Sequence, residues 1–327
     1  GMSGAMAVSP EHVKGKILIN IDNEEEGDLL VSCAGGVRSK FNLQANVEPL
    51  NELSKVIEVS VKGLKGGHSG MEIIKERGNS NKILGRILKD LSNNVDFRIV
   101  SLNGGSKDNA IPREADAIIA INPNDLNNVK EIAANWKEIL VNELRVQDPG
   151  VNVLVNEEVE QVTEAFDKIS TIKAINLLVL IPNGIKTKSF SIENLVQSSC
   201  NLGVVTTTNN NVQYDSAVRS SVKTLKNAII EESRTIAEII GCEFRTVADY
   251  PEWEFNPESK VREVFKDVYK RMYGKDANIV AIHAGVECGI LSENLGGLDM
   301  ISFGPNMYDV HTPEEHLSIK SVSNMWD

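Results

Sequence analysis

The sequence predicts an α/β protein of two domains, one of them discontinuous. Three observations predict it. Short apolar runs of strand length stand near both ends of the chain, as buried parallel strands do. Between them the order strand, helix, strand, strand, helix occurs once over residues 56–144 and returns after Pro149-Gly150. That order suggests an open-faced αβ sandwich of ferredoxin-like type. The 327 residues also suffice for about two domains on a prior of ~150 residues each. The expected division is a domain of residues 1–36 with 247–327, interrupted by an inserted α+β domain, 37–246, of two ferredoxin-like units.

Each element has its own signal. Lys16 to Asp22 is an apolar run ending in an acid, read as a buried parallel strand with function at its C-terminal edge. Leu29 to Cys33 is a second such run. From Val56 to Val61 apolar and polar residues alternate, the pattern of a half-buried strand. Ile83, Leu84, Ile87, Leu88 and Leu91 share one face of a helix spanning Asn79 to Leu91. Strands follow near Phe97–Leu102 and Ala115–Ile121, then a helix from about Asn127 to Leu144. The second unit is expected to open with a strand near Val151–Val155 and a helix near Glu164–Leu178. Strands near Val204–Thr208 and Val212–Val218 and a helix from Leu225 to Ile240 complete it. Beyond Pro251, a helix over Pro257–Tyr273 and strands at Ile279–Ile282 and Leu298–Phe303 resume the texture of the first residues.

Composition excludes several function classes. With 34 basic and 46 acidic side chains the net charge is −12, which argues against binding a nucleic-acid backbone. No apolar run approaches the roughly 18–20 residues of a membrane span, so no membrane partner is expected. No secretory signal is visible at the first residues. Four cysteines with no CxxC pair fit a reduced, cytoplasmic protein. Neither end carries a helix cap, and the last amphipathic pattern stops at Trp326-Asp327. We therefore expect a fragment of a longer protein, or the product of a shortened reading frame.

Five clusters could carry chemistry. Asp22 ends a strand, where a carboxylate serves as metal ligand or acid–base group; Glu24 to Glu26 read first as a solvated charge run. His68 lies in Gly66-Gly67-His68-Ser69-Gly70. It is read either as a donor to a developing oxyanion or as the cap of the helix that follows. Asn109, in a Gly-rich loop, can bind a carbonyl, though an Asn in a turn is the commoner case. His283-Ala284-Gly285-Val286-Glu287 follows a strand directly. His311 precedes Thr312, read as a helix N-cap with Glu315 as its capping-box partner, a rigid place for a metal-binding imidazole. No HExxH or CxxC motif completes a site, and this chemistry leaves the metal count open.

Together the segments ILINIDNEEEG, CAGG, GLKGGHSG with RGNSNK, DNAIP, PNG, HAGVECG and SFGPNMYDVHTPEEHLSI resemble the aminoacyl-histidine dipeptidases (Xaa-His dipeptidase, peptidase D). These belong to the superfamily of dinuclear zinc peptidases that holds carnosinases and glutamate carboxypeptidases. The resemblance runs over nearly the whole chain in the family's order. It implies a zinc-exopeptidase-type catalytic domain with the insert as its lid, and metal-dependent hydrolysis of dipeptides, Xaa-His preferred, by a zinc-activated hydroxide. Asp22 matches a ligand of one zinc and His311 a ligand of the other; cobalt or manganese are the alternatives. His68 matches the lid imidazole that reaches the oxyanion. Asn109 and Arg219 look like the residues that hold the substrate carbonyl and C-terminal carboxylate, and Glu287 is placed to meet the free amino group. The family's HxD motif, bridging Asp and Glu-Glu pair have no counterpart here, so the metal site is expected to be incomplete and the sheet to expose an edge or apolar face. A non-catalytic interaction module and an N-acyl amidohydrolase are the competing functions. The expected partner is a small dipeptide, and a homodimer stays open because lids in this superfamily sometimes dimerise.

Overall fold

The computed structural model describes residues 3–310 and 312–326. In chain order its first elements are α1 (Ser3–Met6), β1 (Ile17–Asn20), β2 (Asp28–Cys33), β3 (Gly35–Gln44), β4 (Val47–Pro49), β5 (Lys55–Lys62), β6 (Gly67–His68), α2 (Ser80–Asn94), β7 (Phe97–Gly104), β8 (Ala110–Ile111) and β9 (Ala115–Ile121). The middle of the chain forms α3 (Leu126–Glu143), β10 (Asn152–Asn156), β11 (Glu164–Phe166), α4 (Lys168–Leu180), β12 (Gly184–Lys188), β13 (Val196–Thr208), β14 (Asn211–Ser220), α5 (Lys223–Ile240) and β15 (Glu243–Tyr250). Last come α6 (Lys260–Tyr273), β16 (Asn278–Ile282), α7 (Glu287–Asn294), β17 (Asp299–Ser302), β18 (Met307–Tyr308), β19 (His316–Leu317) and α8 (Ile319–Trp326).

Two sheets organise these elements. The larger has nine strands in the order β10-β5-β9-β7-β13-β14-β3-β15, with β12 added on β13. Its left half, β10-β5-β9-β7 with α2 and α3, is a complete ferredoxin-like unit. Its right half, β13-β14-β3-β15 with α4 and α5, is a second. The units meet edge to edge at β7 and β13, where Thr207 Oγ1 accepts the Leu102 N–H at 2.8 Å and donates to the Leu102 carbonyl at 2.9 Å.

The membership of the halves differs from the expected one. Val151–Val155 does not open the second unit; as β10 it pairs antiparallel with β5 and closes the first. The second unit takes its first strand from β3, far upstream of that segment, with the whole first unit inserted between β3 and α4. The strand β3 carries its own period-two signal: Val37, Ser39, Phe41 and Leu43 are buried while Arg38, Lys40, Asn42 and Gln44 turn outward. Glu164–Phe166 is likewise a short strand against β4 and not the start of a helix. Asp167 caps α4 instead, its side chain accepting the Ser170 N–H at 2.7 Å.

Helices cover one face. Asn79 caps α2 by accepting the Lys82 N–H at 3.1 Å. The expected stripe Ile83, Leu84, Ile87, Leu88 and Leu91 is buried to 5% exposure or less, worth roughly 2 kcal/mol of gross burial per side chain. One core joins both units, from Ile57 and Ile99 through Leu178 to Leu202 and Tyr214.

The smaller sheet has the order β1-β17-β2-β16, with β1 parallel to β17 and β16 parallel to β2. Packed on it are α6 and α7, the former between the Ser259 cap and Gly274. The first strand is parallel, as read, but not buried: β1 is an edge, and Ile17, Ile19 and Ile21 are 60%, 54% and 62% exposed. The sheet thus presents an apolar edge face. Two crossings tie the sheets. Cys33 and Trp253 exchange both backbone hydrogen bonds at 3.0 and 3.1 Å. The buried Lys226 ammonium reaches Asp249 at 2.8 Å and Glu252 at 3.0 Å. Among the described residues no helix is long and apolar enough to cross a membrane.

Candidate functional site at the junction of the two sheets

The loop that carries His68 is held from below by one carboxylate. Asp148, fully buried, accepts the Lys65 N–H on Oδ1 and the Gly78 N–H on Oδ2, both at 2.7 Å. Between those anchors β6 pairs with β8, setting His68 opposite Ala110. The Ser69 N–H donates to the Asn109 carbonyl at 2.9 Å. The His68 N–H donates to Glu72 Oε2 at 2.9 Å, and this bond, after the Lys75 ammonium, helps hold the Glu72 carboxyl down at about 2.

The imidazole of His68 is half-buried, and its Nδ1 accepts the N–H groups of Gly70 at 3.2 Å and Met71 at 3.0 Å. Burial first, and the Arg219 charge second, lower its pKa. A neutral ring accepting on Nδ1 carries its proton on Nε2. Nδ1 thus caps the following turn, the second of the two expected readings, and Nε2–H is left as a donor.

Arg219 lies on β14, opposite Ser199 on β13 and Gly36 on β3. Its Nη1 donates to the Tyr250 hydroxyl at 2.8 Å. Its Nε is buried without a hydrogen-bond partner, and no ion pair neutralises it among the described residues. The guanidinium charge acts on two imidazoles, His68 and the buried His283. Ser199 Oγ and His283 Nε2 lie 2.7 Å apart. Burial, then Arg219, push His283 down to about 3, so it is a neutral ring. The two histidine loops touch at Gly70, where a Cβ would stand 2.5 Å from the His283 carbonyl and 3.0 Å from His68 Cε1.

Asn109 sits half-buried in the turn between β7 and β8. Asn201, buried on β13, brackets it by donating to the carbonyls of Asp108 at 3.1 Å and Ala110 at 2.8 Å. Asp108 also pairs with Arg38. His68, Asn109 and Arg219 thus fall in one network of contact and charge: the Ser69 N–H joins the first two, the Arg219 guanidinium acts on His68 and His283, and Ser199, Tyr250 and Asn201 stand around them. Of these, His283 stands in one of the expected clusters, whereas Ser199, Asn201 and Tyr250 are absent from the expected site. The trace of Ser199 and Asn201 in the chain is the polar run Ser198-Ser199-Cys200-Asn201 inside a buried strand.

Asp22 and Glu287 lie outside that network. Asp22 is exposed beyond β1, its N–H donating to Asn20 Oδ1 at 3.0 Å. Glu287 is the exposed first residue of α7. Both carboxylates act on the Cys288 thiol, which burial above all pushes up to about 12. His311 lies outside the described residues. Thr312 does not cap the final helix: its hydroxyl donates to the Asp309 carbonyl at 2.6 Å and accepts the Glu314 N–H at 3.2 Å, closing a turn. Ser318, accepting from Ser321 and Val322, begins α8. Among the described residues no three His, Cys, Asp or Glu side chains gather closely enough to hold a metal ion.

Comparison with known proteins gives this arrangement a family. The cytosol non-specific dipeptidase of Escherichia coli (strain K12) is 35% identical over 330 residues, which cover 100% of this chain and 67% of that protein. The chain belongs to this dipeptidase family of M20 peptidases. The aminoacylhistidine dipeptidase of Vibrio alginolyticus superposes with a TM-score of 0.95 at 34% identity, covering 100% of this chain and 66% of that one. The chain spans about two thirds of the length of both relatives. Residues 59–148 match the peptidase dimerisation domain family; in this dipeptidase-family chain they form most of the first ferredoxin-like unit, whose β7 edge is already paired with β13.

Proposed function

We propose that this chain reads the substrate of a metal-dependent dipeptidase that prefers Xaa-His peptides. The observation that carries the reading is Arg219, a guanidinium with a buried unpartnered Nε, no carboxylate of its own, and a neutral His68 under its influence. An Arg fork binds a carboxylate through two parallel N–H bonds, so Arg219 takes the peptide's C-terminal carboxylate. His68 donates Nε2–H to the scissile carbonyl oxygen as negative charge develops there. The Asn109 amide holds the same carbonyl, and Glu287 meets the free amino group. The dipeptidase names of both relatives support this reading.

The remaining assignments belong to the same proposal. Asp22 and His311 each contribute one ligand to a pair of zinc ions, or cobalt or manganese in their place. Two such ligands are too few for tight binding, so the chain by itself retains far less than two ions. Residues 1–36 with 247–327 form the catalytic-type domain, and 37–246 the lid. The protein works in the cytoplasm. A homodimer would use the β10 or β15 edge, because β7 is taken within the chain.

Two measurements test the reading. Isothermal titration of the purified chain with β-alanyl-histidine should show binding that Arg219→Met weakens by about a hundredfold, the loss of a bidentate charged contact of about 3 kcal/mol. Unchanged affinity in that variant removes Arg219 from the site. Elemental analysis after zinc incubation and desalting should find little retained metal; a value near two ions per chain would overturn the incomplete site.

A further inference from the structure

The guanidinium of Arg219 has one anchor, and that anchor stands where the two sheets join. Its Nη1 donates to the Tyr250 hydroxyl at 2.8 Å. Tyr250 is the last residue of β15, and Pro251-Glu252-Trp253 lead from it into the smaller sheet. The phenol ring is wedged between two glycines from different parts of the molecule. A Cβ at Gly36, on β3, would fall 2.4 Å from the Tyr250 hydroxyl, and one at Gly285, after β16, would fall 2.6 Å from the ring edge. The backbone is fixed as well: Lys226 Nζ donates to the Tyr250 carbonyl at 3.1 Å while holding Asp249 and Glu252 on either side.

This arrangement divides the donors of one guanidinium. Nη1 is occupied, and Nε is buried with no acceptor. The edge formed by Nε–H and the adjoining Nη2–H is the fork that fits a carboxylate side-on. A free arginine side chain samples many rotamers, and a rigid partner at one nitrogen removes much of that freedom before the ligand arrives.

We propose that Tyr250 is the positioning residue for the substrate carboxylate, holding Arg219 through Nη1 so that its Nε–Nη2 edge is presented to the ligand. The wedge of the ring between Gly36 and Gly285 ties the aim of that fork to the seating of the two sheets. The inference rests on Arg219 as the carboxylate receptor, and the experiment separates the two claims.

The full chain and its Tyr250→Phe variant are titrated with β-alanyl-histidine and with its C-terminal amide. The wild type binds the acid more tightly than the amide. Tyr250→Phe weakens the acid by about tenfold, the scale of one hydrogen bond to a charged group, and leaves the amide nearly unchanged. A variant that keeps the wild-type ratio of acid to amide overturns the role of Tyr250. A wild type that does not distinguish the two ligands, or binds neither, overturns the carboxylate reading of Arg219 and the inference with it. A second readout needs no ligand. The NMR titration of His68, assigned by its loss in His68→Gln, moves upward in Tyr250→Phe as the released guanidinium ceases to oppose protonation. An unmoved titration in the folded variant refutes the anchoring. Should Tyr250→Phe not fold, 3-fluorotyrosine at position 250 keeps the wedge and weakens the phenol as an acceptor; the acid-to-amide ratio then falls in the same direction by less, and an unchanged ratio refutes the proposal.

Discussion

Lowering the pH from 7.5 to 5 should destabilise the fold through one buried ring. His283 is 6% exposed, its Nε2 lies 2.7 Å from Ser199 Oγ, and burial with the nearby Arg219 charge brings its pKa down to about 3. In the unfolded chain an imidazole takes up a proton below about pH 6.5. The folded value is the lower one, so the unfolded state binds the extra proton. The stabilisation is complete above about pH 6.5 and is lost as pH falls from there toward 3. The slope is about 1.4 kcal/mol per pH unit once the unfolded ring is protonated, so His283 alone removes about 2 kcal/mol by pH 5. His68, lowered by burial and by the same arginine, acts with the same sign. Glu72 and Glu157, both held at about 2, lose their contributions only below the ordinary carboxylate range. Urea unfolding followed by circular dichroism at pH 7.5, 6 and 5 measures the effect. His283→Asn is expected to be less stable at pH 7.5, because the Ser199 contact is altered, yet to fall by about 2 kcal/mol less than the wild type on acidification. Parallel pH dependences for the two proteins would refute a neutral, buried His283.

Two other substitutions probe the supports of the site. Asp148→Ala leaves two N–H groups, the part-buried one of Lys65 and the buried one of Gly78, without their acceptor; a loss of about 2 kcal/mol or more is expected in urea unfolding, and a loss below about 1 kcal/mol would mean the loop ends reach other acceptors. Asn79→Asp keeps a good helix cap, but its second oxygen would face Asn183 Oδ1, Asn201 Oδ1 and the Leu202 carbonyl, which the Asn79 amide now satisfies at 2.9, 3.2 and 3.1 Å. It should therefore cost about 2 kcal/mol or more, and a neutral effect would show that the capping role alone governs this position.

The legible parts of this protein are those whose signals are local. The face of α2 is written at helical spacing, and every residue on it is buried. His68 stands out because glycines flank it, and Gly70 is needed where the loop meets the His283 carbonyl. The illegible parts depend on partners far away in the chain. β3 alternates clearly, yet nothing in residues 35–44 says that it pairs with β14 and β15 and not with the strand next in sequence. Thr312 and Glu315 have capping-box spacing, but the chain makes a turn there and starts its helix at Ile319. The run at 17–21 is apolar enough to be buried, and only the strand order shows it at an edge.

By itself the sequence determined the periodicities and the ferredoxin-like repeat of elements, which follow from side-chain type and spacing acting over a few residues; the family motifs singled out His68, Asn109 and Arg219 as expected site residues by resemblance. The tertiary structure alone decided which strand completes which unit, which nitrogen of His68 carries the proton, and that Arg219 is held by Tyr250 and left without an anion. These depend on burial and on hydrogen bonds between residues far apart in the chain, whose energies exist only after the core has brought both partners out of water.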